Sequence, residues 1–90
     1  MHSIRITVGS SSGLHARPAS LFVQAAARQQ AKVTLGRPGQ APVDARSLLS
    51  VLALAARCGE TLELTASGDG AEEALKALAD LLSADLDAAA

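Results

Sequence analysis

The sequence predicts an α+β fold in which helices cover one face of an antiparallel sheet. The apolar periodicity along the 90 residues gives the element order βαββαβα. Short β–β connections, together with the lack of repeated long βαβ units, favour an antiparallel sheet over a parallel one. The composition is 49% hydrophobic but only 1% aromatic, so a core of leucine, valine, isoleucine and alanine is expected. A chain of this length predicts a single domain over residues 1–90.

The strands of the predicted sheet are recognised by alternating apolar and polar residues. Residues 3–8 alternate strictly and predict a half-buried first strand, and residues 61–66 alternate again. A short strand is predicted at residues 32–35, and residues 41–44 predict a brief edge strand, where Pro42 is tolerated. The residues expected to face inward are Ile4, Ile6, Val8, Val33, Leu35, Leu62 and Leu64.

Three helices are predicted from apolar residues that recur at the spacing of one helix face. The first covers residues 18–29, with Pro18 in the first turn, where a missing N–H costs nothing. The second covers residues 47–57 and is stopped by Gly59. The third runs from residue 71 into the region of Asp85. The apolar stripes are Ala19, Phe22, Val23 and Ala26; Leu48, Val51, Leu52 and Ala55; and Leu75, Leu78 and Leu82.

Composition and charge argue against several classes of function. The net charge is −1 and aromatic residues are nearly absent, so the chain lacks the positive charge and the stacking surfaces that nucleic-acid binding uses. No apolar run reaches the ~18 residues of a membrane span, and no signal peptide is expected. The single cysteine excludes an internal disulfide and a cysteine-based metal cluster. We expect a cytoplasmic monomer with no metal and no cofactor.

The segment at residues 14–20, LHARPAS, carries most of the functional information. His15 follows a polar loop with two glycines and precedes the helix that Pro18 opens. The proline ring also disfavours helical angles at Arg17, so we expect the helix boundary close to His15. Unpaired N–H groups at a helix N-terminus attract anions. The sequence therefore predicts an imidazole and a guanidinium together at an anion-binding helix end.

These residue types suit a site that accepts phosphate. A neutral imidazole nitrogen is a nucleophile toward phosphorus, and histidine is substantially neutral near pH 7. A phosphoryl group on His15 would add about two negative charges, which the helix N–H groups and the Arg17 guanidinium would stabilise. The phosphoramidate bond is reactive, so the site suits passing phosphate on. The alternative is that His15 is a surface or capping residue without chemistry.

The motif at residues 13–19 reads Gly-Leu-His-Ala-Arg-Pro-Ala. It resembles the Gly-x-His-Ala-Arg-Pro-Ala pattern of the HPr family, the histidine-containing phosphocarriers of the bacterial phosphoenolpyruvate-dependent sugar phosphotransferase system. The resemblance extends over nearly the whole chain. It implies an open-faced sandwich, with a four-stranded antiparallel sheet and three helices on one face.

The same resemblance implies a role for the motif residues. His15 would accept phosphate on Nδ1 from enzyme I and donate it to enzyme IIA domains of sugar transporters, and Arg17 would assist the transfer. The protein would act only with these partner enzymes and would not be a self-sufficient enzyme.

The resemblance also implies a regulatory serine at the start of the second helix. Ser47 matches that serine, one position later than is common, and a serine kinase phosphorylates it in many Gram-positive members. Ser50 stands where the family has a glycine, and Leu49 stands where an aromatic residue or methionine is frequent. The residues themselves favour a simpler role for Ser47 as a helix N-cap, worth about 1 kcal/mol. Regulation by a kinase and a phosphatase is the alternative.

A small docking surface for partners is expected beside His15. Leu49 lies off the apolar stripe of the second helix, which is typical either of tolerated exposure or of a contact surface. The residues predicted to contact partners are Ala16, Ser20, Arg46, Leu48 and Leu49, with Arg17 at the rim. The cations expected on the solvated face are Arg28, Lys32, Arg37 and Lys76.

Two other functions are compatible with the sequence. A regulatory or single-pathway paralogue, serving nitrogen-related or fructose-specific phosphotransfer, would keep the chemistry and change the partners. A binding module without catalysis would make His15 dispensable, but the sequence supplies no aromatic platform or metal cluster to bind a ligand.

Overall fold

The computed structural model describes residues 1–84, which form a four-stranded antiparallel sheet and three helices in the predicted order. The strands are β1 (His2–Thr7), β2 (Lys32–Gly36), β3 (Val43–Asp44) and β4 (Thr61–Ser67). The helices are α1 (Ala16–Ala27), α2 (Leu48–Ala53) and α3 (Ala71–Ser83). The strand order is β1-β4-β2-β3, with β1 and β3 at the edges. The predicted fold is confirmed, whereas the predicted helix end near Asp85 lies outside the described residues.

The core lies between the sheet and the helices, and β4 is its central strand. β4 pairs with β1 on one side and with β2 on the other. Because side chains alternate along a strand, every second residue of β4 points at the helices, and Leu62, Leu64 and Ala66 are fully buried. Ile4 and Ile6 face the core as predicted but are only partly buried, since they lie on an edge strand. Phe22 of α1 and Leu78 of α3 are fully buried among the core residues.

The first helix begins two residues before the predicted residue 18, at the boundary predicted close to His15. It starts at Ala16, with His15 as its N-cap, so the expectation that Arg17 would stay outside helical geometry is wrong. The reason is that Pro18 still falls within the first turn. The N–H groups of that turn have no partner inside the helix, so the missing proline N–H breaks no hydrogen bond.

The second helix is shorter than predicted and ends at Ala53. Val51 is fully buried, but Leu48 is 40% exposed and Ala55 is exposed, so the predicted stripe is wrong at both of its ends. The chain leaves the helix because Ala55 adopts a φ of +51°, in the left-handed region. Gly59 is therefore not the residue that stops the helix, since it lies in a later turn.

The prediction that Arg37 lies on the solvated face is wrong. Arg37 joins the β2–β3 loop to the segment after α2. Its Nη2 donates to the carbonyl oxygen of Leu54 at 2.7 Å, and its guanidinium forms a two-pronged ion pair with the Glu60 carboxylate. Glu60 Oε2 also accepts from the backbone N–H of Arg57 at 3.1 Å. The two side chains of the pair are only 31% and 26% exposed. The β2–β3 loop and the segment between α2 and β4 are thereby joined.

The Arg37–Glu60 pair predicts a pH dependence of stability. Hydrogen bonds from Arg37 and from the backbone of Arg57 hold the pKa of Glu60 below its ordinary value of 4.5. A carboxylate with a lowered pKa in the folded state stabilises the fold above its unfolded pKa, and this stabilisation is lost as the pH falls through the folded-state pKa. The free energy of unfolding, measured in urea between about pH 6 and pH 3, should therefore fall more steeply for the wild type than for Glu60→Gln. Glu73→Gln controls for the loss of one charge, and overlapping profiles for the wild type and Glu60→Gln would contradict the prediction.

The left-handed conformation of Ala55 predicts that glycine is better at this position. An L-residue in this region destabilises the folded state by roughly 1–2 kcal/mol. Glycine removes this cost but raises the entropy of the unfolded chain, which lowers stability by roughly 0.4–1 kcal/mol. Ala55→Gly should thus raise the free energy of unfolding by about 1 kcal/mol, measured by urea denaturation. The matched control is Ala77→Gly, at an exposed position inside α3, where stability should fall by about 1 kcal/mol. Equal losses for both variants would show that Ala55 is not strained.

Candidate functional site

His15 lies at the N-terminus of α1 with its side chain exposed. Its backbone is extended, and its carbonyl oxygen accepts the first hydrogen bond of the helix, from the N–H of Ala19 at 2.9 Å. The ring Nδ1 lies 3.3 Å from the carbonyl oxygen of Gly13. A carbonyl oxygen only accepts, so this contact is a hydrogen bond in the tautomer that carries its proton on Nδ1, and the lone pair of that neutral ring is on Nε2.

The backbone immediately before His15 is held by the segment that follows α2. The N–H of Leu14 donates to the carbonyl oxygen of Ala56 at 2.8 Å, and the Leu14 side chain is 2% exposed. Gly13 has a φ of +79°, and a Cβ on it would lie 2.6 Å from the same carbonyl oxygen. Only glycine permits both this conformation and this close approach. His15 therefore follows a rigid support.

The other end of the loop is held by the C-terminal end of α3. The N–H of Gly9 donates to the carbonyl oxygen of Leu82 at 2.9 Å, and a Cβ on Gly9 would lie 1.9 Å from the carbonyl oxygen of Ser83. Ser10 is buried at 2% exposure. Because both ends of this loop are held by backbone hydrogen bonds, the exposed imidazole is presented from a defined position.

The remaining motif residues occupy the first turns of α1. Ala16 and Arg17 are exposed, and their backbone N–H groups belong to the helix N-terminus, where an anion is stabilised. Ser20 is half-buried, and its hydroxyl oxygen accepts from Gln24 Nε2 at 3.0 Å. The arrangement thus combines an exposed imidazole, an exposed guanidinium and a helix end that favours negative charge.

Ser47 caps α2, as predicted. Its Oγ accepts from the backbone N–H of Ser50 at 3.3 Å and lies 3.0 Å from Ser50 Oγ. The next two residues, Leu48 and Leu49, are 40% and 82% exposed. Arg46 is exposed and pairs with Asp44, whose carboxylate also accepts from the backbone N–H of Arg46 at 2.9 Å. The start of α2 therefore presents two leucines next to a cation.

The two groups of predicted site residues lie on helices that pack against each other, α1 and α2. The joining of the exposed side chains of Ala16, Leu48 and Leu49 into one docking surface stays a prediction. Sequence reasoning missed Ala56, whose carbonyl oxygen supports the loop before His15, and the left-handed turn at Ala55 just before it. Nothing in the sequence marks Ala55 as left-handed. Nor does any residue type mark a backbone carbonyl oxygen that accepts from a distant N–H.

Comparisons with known proteins identify the family. Residues 2–84 match the family model described as the PTS HPr component phosphorylation site. The chain belongs to the HPr family. It is 46% identical over 83 residues to the phosphocarrier protein HPr of Streptomyces coelicolor, covering 92% of this chain and 89% of that protein. It is 48% identical over 79 residues to the phosphocarrier protein HPr of Haloferax volcanii, covering 87% and 89% of the two chains.

A solved structure agrees with this assignment. The crystal structure of a phosphocarrier protein HPr from Bacillus anthracis matches with a TM-score of 0.85 at 40% identity, covering 90% of this chain and 95% of that one. The resemblance carried by the motif at residues 13–19 is therefore confirmed at the level of the family. Among residues 1–84, no helix is long and apolar enough to cross a membrane.

The cap at Ser47 predicts a measurable loss of stability on its removal. Ser47→Ala should lower the free energy of unfolding by about 1 kcal/mol, because the N–H of Ser50 loses its acceptor at the end of the helix. Ser47→Gly is the matched control and should lose only a few tenths, roughly, since glycine is tolerated at an N-cap. Urea denaturation measures both variants. A smaller loss for alanine than for glycine would contradict the capping role.

Proposed function

We propose that this protein carries a phosphoryl group on His15 from enzyme I to enzyme IIA domains of the phosphoenolpyruvate-dependent sugar phosphotransferase system. The observation that carries the proposal is the exposed imidazole of His15 at the N-terminus of α1, inside a motif typical of the family. The proposal includes a monomeric protein in the cytoplasm, where phosphoenolpyruvate is available.

In the proposed transfer, a ring nitrogen of neutral His15 attacks the phosphorus atom held by the donor. The nitrogen–phosphorus bond forms as the bond to the donor breaks, and the electron pair of the broken bond stays with the donor. If the nucleophile is Nδ1, as the family resemblance implies, its proton must first move to Nε2. The contact between Nδ1 and the carbonyl oxygen of Gly13 must then open, because both atoms would be acceptors.

The phosphorylated state is stabilised by groups that are already in place. The N-terminal end of α1 favours the new negative charge, and the Arg17 guanidinium offers charge-assisted hydrogen bonds. Because the helix end is fixed by the fold, it stabilises the developing charge with little reorganisation. The exposure of His15 lets two different partners reach the same nitrogen in turn.

The proposed partner surface uses the exposed leucines at the start of α2. Leu49 is 82% exposed, which suits a small, transient apolar contact. Arg17 and Arg46 would favour a partner with acidic groups around that contact. A kinase acting on Ser47 would have to displace the hydrogen bond from the N–H of Ser50, so regulation at this serine works against the cap.

The proposal predicts that phosphorylation depends on His15 alone among the two histidines of the chain. Incubation with phosphoenolpyruvate, magnesium and enzyme I should give an acid-labile, alkali-stable phosphoramidate signal in the phosphorus NMR spectrum. His15→Ala should abolish the signal. His2→Ala is the matched control and should retain it, because His2 lies on the edge strand β1, with its Nδ1 3.8 Å from a carboxylate oxygen of Glu72.

A signal retained by His15→Ala would overturn the assignment of the acceptor. Absence of a signal from the wild type, tested with the enzyme I of the same organism and with that enzyme I shown to be active on another carrier, would overturn the proposed function itself.

A further inference from the structure

We propose that Arg37 and Glu60 are positioning residues for His15, acting through the turn at residues 54–57 and the carbonyl oxygen of Ala56. The inference rests on the proposed function, because it concerns the orientation of the phosphate-accepting imidazole. Arg37 and Glu60 both lie outside the motif at residues 13–19.

The ion pair holds the turn at both of its ends. Arg37 donates to the carbonyl oxygen of Leu54 at 2.7 Å, where α2 ends. Glu60 accepts from the backbone N–H of Arg57 at 3.1 Å. Since the guanidinium and the carboxylate are themselves paired, residues 54 and 57 are fastened to one another through two side chains.

The turn between these ends is strained and needs to be held. Ala55 has a φ of +51°, which L-residues rarely adopt, and its side chain is exposed, so packing of its methyl group contributes little. Without Arg37, the carbonyl oxygen of Leu54 loses a charge-assisted hydrogen bond. The turn can then relax toward ordinary backbone angles.

Relaxation of the turn would displace His15 through the carbonyl group of Ala56. Ala56 follows the strained residue, and its oxygen accepts from Leu14 N at 2.8 Å. Leu14 immediately precedes His15, and Gly13 approaches the same oxygen so closely that no Cβ fits between them. A shift of the Ala56 oxygen must therefore move the backbone on which the imidazole is mounted.

The Glu60 backbone limits where the turn can go. The N–H of Val8 donates to the Glu60 carbonyl oxygen at 2.9 Å, and the N–H of Gly59 donates to the Val8 carbonyl oxygen at 2.8 Å. These bonds fix Glu60 relative to the end of β1, where the loop toward His15 begins. Because the Glu60 backbone is fixed, Arg37, which binds both the Glu60 carboxylate and the Leu54 carbonyl oxygen, holds Leu54 in place relative to β1.

The test compares Arg37→Met with the wild type in phosphorylation by enzyme I, at a temperature where circular dichroism shows both proteins folded. Methionine keeps an apolar stem and removes the guanidinium. With this protein as the substrate of enzyme I, we expect kcat to fall between about 10-fold and 100-fold because the nucleophile is misplaced. The KM of enzyme I for the variant should stay unchanged within about twofold. Hydrogen exchange of the Leu14 amide should accelerate by about tenfold or more, because its acceptor is no longer held.

Two further variants separate positioning from a loss of charge or fold. Arg5→Met removes an arginine that is 67% exposed and pairs with Glu63 across β1 and β4, and should leave kcat and Leu14 exchange unchanged. Arg37→Lys keeps one donor group and should restore part of the lost kcat, since lysine reaches one of the two partners at a time. If Arg37→Met does not fold, Glu60→Gln takes its place with the same expectations.

A folded Arg37→Met with wild-type kcat overturns the inference, and so does a loss of kcat with unchanged Leu14 exchange. A wild type that accepts no phosphate under the same conditions overturns the proposed function instead, so the two failures are distinguishable. A parallel loss of kcat in Arg5→Met would also overturn the inference, because the effect would then follow from charge alone.

Discussion

The placement of β4 between β1 and β2 is the interaction on which the rest of the structure depends. Within residues 1–84, β4 is the last strand in sequence and the only one that carries a fully buried row of three side chains, Leu62, Leu64 and Ala66. Its pairing on both sides satisfies the backbone groups of that row. It also brings the segment just before it, which includes Glu60, against the end of β1. The backbone support of His15 therefore depends on this strand order.

The site separates two tasks between different parts of the fold. His15 and Arg17 are exposed, which suits the proposed carrier, because such a protein would meet partners of different shape at one nitrogen. The support beneath them is backbone, held by Ala56 on one side and Leu82 on the other. In the proposed transfer, an exposed side chain on a rigid base needs no enclosed pocket, since the docked partner would exclude water.

Much of the fold could be predicted from the sequence because its strands and its last helix follow simple periods. Leu75, Leu78 and Leu82 recur at the spacing of one helix face and are buried, and the alternation at residues 61–66 marks the central strand. His15 is predicted as the phosphate acceptor from the motif at residues 13–19 and from its place before a helix. The end of α2 could not be predicted, because no feature of the Ala53–Ala55 sequence indicates a left-handed turn.

Arg37 shows why the support of the site stayed hidden. As an isolated cation after a strand it looks like a solvated residue, and only the folded chain brings the Leu54 carbonyl oxygen and Glu60 within its reach. Contacts between residues far apart in sequence depend on the topology, and periodicity carries no information about them. The role of Ala56 is further hidden because it belongs to the backbone, which every residue shares.

The strand order also constrains when the chain can fold during synthesis. β1 leaves the ribosome before the other described elements, yet its partner β4 ends at residue 67, and α3, which packs on both, ends at residue 83. Until β4 has been synthesised, β1 therefore has no strand to pair with, and the apolar residues of β2 have no complete core to enter. This domain can therefore complete its core only after α3 has left the exit tunnel, and until then the apolar residues of its strands stay exposed.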